Sequence, residues 1–104
     1  MNKYEKKVIG KYELHSYDLD NTLKSVEDFS QLKLDDNKTF CLIYDAKKVS
    51  GNWSANDYGD WTVIEFEYQN KIIQAQVGLD EISFNSLDGF GIKGLNAVKF
   101  TKFE

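Results

Sequence analysis

Proline and arginine are absent from this sequence of 104 residues, and cysteine and histidine occur once each. A single cysteine, Cys41, excludes an intramolecular disulfide and a cysteine-based zinc site. Because every basic residue is a lysine, the chain also lacks the guanidinium forks with which proteins read phosphates and guanine edges. With a formal net charge of −4, the sequence predicts a protein without a nucleic-acid partner.

Long apolar runs are missing as well. No stretch approaches the ~20 apolar residues that a membrane-spanning helix needs. Met1 is followed by the charged segment NKYEKK instead of an apolar signal segment. We therefore expect a cytoplasmic protein that does not contact a membrane.

Apolar residues make up 41% of the chain and aromatic residues 14%, enough for one folded domain over residues 1–104. Short runs of alternating apolar and polar residues are separated by Asn, Asp, Gly and Lys clusters, which is typical of antiparallel strands joined by turns. The predicted strands are 8–17, 30–35, 39–44, 49–54, 61–68, 72–79, 82–86 and 95–103. The predicted fold class is all-β, an antiparallel meander of about eight strands forming a small barrel. Residues 20–29 are the one helical candidate, with a connecting loop as the alternative.

Several motifs connect this prediction to a family. They are GKYEL from Gly10, LKLDDNKTFCL over 32–42, VSGNW over 49–53, a strand from Trp61, and VKFTKF over 98–103. Together these motifs resemble the bacterial lipocalin-like small β-barrels of the calycin type. A carrier of that kind would hold a small apolar ligand in its barrel, in a cavity lined by Tyr12, Leu14, Phe40, Leu42, Trp53, Phe66, Phe84 and Phe100. The same bulky side chains can instead fill a barrel of this size, and Trp53 is expected to plug one end of it.

No motif in the sequence combines the residues of a catalytic or metal site. GFGIKG spells G-x-G-x-x-G at Gly89, Gly91 and Gly94, but a strand is predicted where a dinucleotide site needs a helix. A glycine turn is therefore predicted there. His15 lies on the polar face of its predicted strand, and Cys41 in TFCLIY is interpreted as a small apolar residue. We predict a non-catalytic protein with no cofactor and no metal.

The segment NWSANDYGDW (52–61) concentrates tryptophan, tyrosine and aspartate, and ANDYGD (55–60) within it is predicted to be a polar loop. Exposed loops with aromatic and charged residues commonly carry recognition. Glu65 and Glu67 are predicted to share the solvated face of the strand that follows. The predicted partner-binding residues are Asp57, Tyr58, Asp60, Trp61, Glu65 and Glu67. The acidic stretch 18–36 is an alternative docking face.

These patterns favour binding over catalysis. The leading hypothesis is a cytosolic immunity-type inhibitor, which neutralises a basic toxin or enzyme by protein–protein binding through an acidic and aromatic surface. The alternative is a lipocalin-like carrier of a small apolar ligand. An enzyme is the least supported of the three classes.

Overall fold

Strands cover most of the chain, as the alternating sequence pattern predicts. The computed structural model describes residues 2–19, 22–25, 30–44, 47–59 and 61–104. The elements in chain order are α1 (Lys3–Val8), β1 (Gly10–Leu19), β2 (Thr22–Ser25), β3 (Gln31–Leu34), β4 (Thr39–Tyr44), β5 (Lys47–Tyr58), β6 (Trp61–Tyr68), β7 (Lys71–Gly78), β8 (Glu81–Ser86), a 3₁₀ helix (Asp88–Phe90) and β9 (Asn96–Lys102). Each predicted strand overlaps an observed one, and the all-β fold class is confirmed.

The sheet closes on itself because the first and last long strands pair. From β3 to β9 each strand is antiparallel to the next, and β9 pairs with β1 along one side. On the other side of β1, Gly10–Glu13 pairs with β3 and Ser16–Leu19 pairs with β2. β2 and β3 therefore act as two pieces of one strand, and the result is a barrel of eight antiparallel strands.

Aromatic rings fill the middle of the barrel. Phe66 on β6 has ring-centroid distances of 5.0 Å to Phe40, 5.3 Å to Phe84 and 5.9 Å to Phe90, mostly in the edge-on arrangements that aromatic pairs favour. A Cβ atom on Gly51 would lie 2.8 Å from the Phe40 ring, which accounts for the glycine of the G-x-W motif. The largest fully buried side chains are Tyr12, Phe40, Phe66, Phe84, Phe90, Phe100, Leu32, Leu34, Leu42, Ile64, Ile82 and Leu87.

The glycine-rich segment after β8 closes one end of the barrel. Its 3₁₀ helix carries Phe90, which is buried and also contacts the ring of Tyr68. Gly91 and Gly94 have φ values of 81° and 86°, in the left-handed region that glycine adopts without strain. A strand follows, so the predicted glycine turn is confirmed at these two positions.

The other end of the barrel carries α1, a helix that the strand pattern did not reveal. Asn2 and Glu5 form a reciprocal capping box at its start, and this spacing is a known signature of a helix N-terminus. The Tyr12 hydroxyl donates to the carbonyl of Val8 at 2.8 Å and ties the end of the helix to β1. No helix in the described part of the chain has the length and hydropathy of a membrane span.

The helix predicted near residues 20–29 is wrong where the structure describes this segment. Residues 22–25 form β2, paired in register from Leu19↔Thr22 to Ser16↔Ser25, while 20–21 and 26–29 lie outside the described residues. An isolated helix of this length is marginal in water. Pairing with the second half of β1 satisfies the backbone hydrogen-bonding groups of these residues, and such tertiary pairing overrides a weak local helix propensity.

Candidate functional site

Four of the six predicted partner-binding residues lie together on the outside of the β5–β6 hairpin. Tyr58 is paired with Trp61 at the end of this hairpin, and Glu65 and Glu67 follow along β6. Residues directly opposite on antiparallel strands share a face, and alternate residues share it along a strand. Glu67 pairs in turn with Ile72 on β7. We call Tyr58, Trp61, Glu65, Glu67 and Ile72 the acidic aromatic face.

The loop predicted over residues 55–60 is wrong for 55–58. β5 continues to Tyr58, because Ala55 is paired with Ile64 and both are fully buried. The small apolar Ala55 therefore faces the core, and the polar residues on either side of it face outward. This extension of the strand gives Tyr58 and Trp61 fixed positions on paired strands.

Of the two predicted aspartates, the structure describes Asp57, which does not lie on this face. Asp57 is paired with Thr62, and its carboxylate accepts a hydrogen bond from the Tyr4 hydroxyl of α1 at 3.2 Å. It therefore lies on the helix side of the hairpin. Asp60 is outside the described residues.

Large apolar side chains are exposed on and beside this face. Tyr58 is 52% exposed, Trp61 58%, Ile72 57% and Leu79 92%. Thr62 pairs with Val77, which places Trp61 and Leu79 on neighbouring turns at the same end of the barrel. Clustered exposed apolar residues on a folded domain mark contact surfaces.

Sequence reasoning missed Ile72 and Leu79. The alternation in IIQAQVGL placed Leu79 in the core with Ile73, but β7 ends at Gly78 and Leu79 belongs to the turn before β8. Asp80, the next residue, has a φ of 55°, a left-handed value typical of turns. Gly78 and Asp80, which flank Leu79, are of the residue types that are common in turns, and they could have predicted this turn.

The carboxylates of the acidic aromatic face form no ion pair with a lysine of the described ranges. The ion pairs of the described residues do not include Glu65 or Glu67. Glu65 instead accepts a hydrogen bond from the Tyr58 hydroxyl at 3.3 Å. The charge of Glu65, together with this hydrogen bond, raises the pKa of Tyr58.

A groove of about 290 Å³ opens on this face. It is lined by Lys38, Asn52, Trp53, Ser54, Glu65, Glu67 and Ile72, and we call it the Glu65–Glu67 groove. Trp53 is only 2% exposed, and its indole N–H donates to the carbonyl of Asp35 at 3.1 Å. The groove thus has one rigid wall from the core, with polar and charged side chains above it.

Lys38, the cation at this groove, is held by a buried carboxylate of α1. Its ammonium lies 3.0 Å from Glu5 Oε2, and Glu5 is 2% exposed. The same carboxylate accepts the backbone N–H of Asn2 at 3.0 Å and that of Ala55 at 3.2 Å. Burial raises the pKa of Glu5, but these hydrogen bonds and the lysine charge outweigh it, and the net pKa is lowered.

The residues proposed to line a cavity are all buried in the barrel, each at 7% exposure or less. Beyond the rings around Phe66, Phe84 also packs edge-on against Phe100 at 5.9 Å. Burial, followed by the charge of Asp80, raises the pKa of Tyr12 to about 12. A cleft of about 360 Å³ lies beside this tyrosine at the α1 end, lined by Lys7, Val8, Tyr12, Thr62, Val77, Gly78, Leu79 and Asp80.

The remaining candidates from the sequence lie apart from one another. His15 is exposed on β1 and Cys41 is half-buried on β4, with β3 between these strands. In the alternative acidic stretch 18–36, Asp35 lies 3.4 Å from Lys33 and Asp36 is exposed. The other acidic side chains of that stretch, from Asp18 to Asp28, are outside the described part.

Comparisons with protein-family models, curated proteins and solved structures give no match to this chain.

Proposed function

We propose that the protein is a non-catalytic, immunity-type inhibitor that binds a basic toxin or enzyme through the acidic aromatic face. The observation that carries the proposal is the gathering of Tyr58, Trp61 and Ile72, each more than half exposed, around Glu65 and Glu67. Tyrosine and tryptophan dominate the energetics of many protein interfaces. Carboxylates without a bound cation attract a basic partner and speed its association.

The barrel suits such a role because its rigid strands position the contact residues before binding. Seven of the eight barrel strands are paired along both sides as single strands, and only the β2–β3 strand is in two pieces. The acidic aromatic face lies on β5–β7, three strands that are each paired with a neighbour on both sides. Pre-ordered side chains lose less conformational entropy on binding. The proposal includes two further parts, that the inhibitor acts in the cytosol and that its barrel is lipocalin-like.

A growth assay with the product of the adjacent gene tests the proposed function. We expect that product to arrest growth when expressed alone and the wild-type chain to restore growth. Combining Trp61→Ala with Glu65→Lys removes an aromatic anchor and reverses a charge, and we expect about a hundredfold weaker binding and no rescue. Isothermal titration of the two purified proteins measures the affinity.

The matched control combines Phe103→Ala with Glu13→Lys. Both residues are exposed and lie away from β5–β7, Glu13 on β1 and Phe103 just after β9. Like the face variant, the control removes one aromatic ring and reverses one glutamate charge. This variant is expected to rescue growth and bind like the wild type. Equal rescue by the face variant and the control variant contradicts the proposed face, and wild-type protein that neither binds nor rescues contradicts the function.

The alternative function is a carrier, because a barrel of this kind can hold a small apolar ligand in its interior. Its cavity would have to form among side chains that here pack against one another, such as Phe66 and Phe84 at 5.3 Å. Organic extraction of the purified protein, followed by mass spectrometry, tests it. A bound lipid in stoichiometric amount favours the carrier over the inhibitor, and we expect a ligand-free extract.

A further inference from the structure

We propose that the Glu65–Glu67 groove receives an arginine side chain of the basic protein partner, and that Glu5 keeps the groove acidic by holding Lys38. The inference rests on the proposed function and names the chemistry of its main contact. It also assigns a positioning role to a residue of α1 that lies outside the contact surface.

Charge and shape both select a cation for this groove. Glu65 and Glu67 lie two residues apart on one face of β6, a spacing of about 7 Å along a strand. Both line the groove, and the ion pairs of the described residues leave both without a cation. A cation that enters this groove gains two charge-assisted contacts.

A guanidinium group fits better than an ammonium group. Its planar fork donates several hydrogen bonds at once and stays charged at any physiological pH. The groove offers acceptors from Asn52 and Ser54 in addition to the two carboxylates. Trp61 and Tyr58 are exposed on the same face, where an arginine side chain can also stack on an aromatic ring.

A second copy of this chain is a poor occupant of the face. In a two-fold symmetric dimer the same patch of each subunit meets itself. Glu65 and Glu67 would then face their own copies, and like charges in a contact oppose association. The chain also has no arginine of its own, so the partner must supply the guanidinium.

Glu5 affects the groove because Lys38 contacts both the groove and the Glu5 carboxylate. The lysine lines the groove and lies 3.0 Å from the buried Glu5 carboxylate. With its charge satisfied by Glu5, Lys38 does not neutralise the groove. In a Glu5→Gln variant this lysine is released toward Glu65 and Glu67, and it competes there with an incoming arginine.

Titration with N-acetyl-arginine methylamide, followed by backbone amide chemical shifts, tests both parts. We expect saturable shifts at Asn52, Ser54, Glu65, Glu67 and Ile72. The neutral isostere N-acetyl-citrulline methylamide should cause none, and the lysine analogue should bind more weakly. The double variant Glu65→Gln/Glu67→Gln should bind the arginine probe about tenfold more weakly or worse.

The role of Glu5 is tested with the same probe. Glu5→Gln is expected to weaken binding several-fold, and Glu5→Gln/Lys38→Met to restore it because the competing cation is gone. Equal binding of the arginine and citrulline probes overturns the cation site, and equal binding of the lysine analogue overturns the preference for guanidinium. Unchanged binding by Glu5→Gln overturns the positioning role.

These outcomes are separable from those of the growth assay. If the chain rescues growth and the arginine probe does not bind, the inhibitor proposal stands and the arginine contact is wrong. If the probe binds and no rescue occurs, the groove is a cation site and the proposed function is wrong.

Discussion

Replacing Phe66 with alanine is expected to lower the free energy of unfolding by about 3–5 kcal/mol, the cost of removing a large buried aromatic side chain. Phe66 is fully buried, and its ring contacts those of Phe40, Phe84 and Phe90. The substitution leaves a cavity bounded by three rings that are themselves held by β4, β8 and the 3₁₀ helix. Because these elements come from different parts of the barrel, the surroundings cannot easily collapse into the space. Urea unfolding followed by tryptophan fluorescence measures the change.

Phe103→Ala is the matched control, since the same atoms are removed from a ring that is 46% exposed beyond β9. We expect a loss below about 1 kcal/mol for it. Similar losses for the two variants would contradict the packing described for the barrel interior. A wild-type-like unfolding midpoint for Phe66→Ala would do so as well, and would revive the carrier hypothesis by showing that the interior tolerates empty space.

The strands could be predicted because one barrel face is buried and the other is solvated. In such a strand, apolar and polar residues alternate with a period of two. The strand WTVIEFEY (Trp61–Tyr68) has this alternation, and its Ile64 and Phe66 are buried. The period says little about where a strand ends. The predicted strand 72–79 includes Leu79, which lies in the turn beyond the end of β7. The predicted strand 49–54 ends too early, because the polar segment after it contains Ala55, which is small but fully buried.

The two elements that the sequence did not predict depend on tertiary contacts. α1 has six residues, too few for its own propensity to stabilise it. It is held by two hydrogen bonds with Ala55, which accepts from the Asn2 side chain and donates its N–H to the Glu5 carboxylate. β2 has a similar origin, since it forms by pairing with the second half of β1. Neither the capping box nor the sequence of residues 20–29 indicates these partners, because the partners lie elsewhere in the chain or across the sheet.

The acidic aromatic face was partly predictable for the same reason that the strands were. Tyr58, Trp61, Glu65 and Glu67 are close in sequence, and a hairpin brings them together. The groove was not predictable, because Lys38 comes from the β3–β4 turn and Ile72 from β7. The spacing of Asn2 and Glu5 is that of a capping box, but nothing in the sequence indicates that Glu5 is buried beside Lys38, since a carboxylate in the charged segment NKYEKK is expected to be exposed.

Glu5→Ala is expected to lower the free energy of unfolding by about 2–3 kcal/mol at neutral pH, because it leaves one buried and one partly buried donor without an acceptor. The backbone N–H of Ala55 loses its carboxylate partner, and so does that of Asn2 at the helix start. Lys38 is 45% exposed, so water takes over much of its solvation and limits the loss. Glu81→Ala is the matched control, since the pair of Glu81 with Lys99 spans 3.6 Å at the surface and such pairs contribute about 0–1 kcal/mol.

The same contacts predict how stability depends on pH. The pKa of Glu5 is lowered in the folded protein from the ordinary value of 4.5, so the unfolded chain takes up the proton first as the pH falls. The stability from Glu5 is therefore complete above that ordinary value and is lost as the pH falls through the lowered folded pKa. Asp57 is a second carboxylate beside α1, where it accepts a hydrogen bond from the Tyr4 hydroxyl, and Asp57→Asn checks its contribution.

Unfolding free energies at a series of pH values, from neutral down to the acid limit of folding, measure this dependence. We expect the wild type to lose stability more steeply below the ordinary glutamate pKa than Glu5→Gln, which has no proton to bind at this position. Asp57→Asn should leave most of that difference in place. Parallel pH profiles for the wild type and Glu5→Gln would mean that the buried carboxylate is not held by Lys38, Asn2 and Ala55 in solution. The contact that keeps Lys38 away from Glu65 and Glu67 would then fail as well.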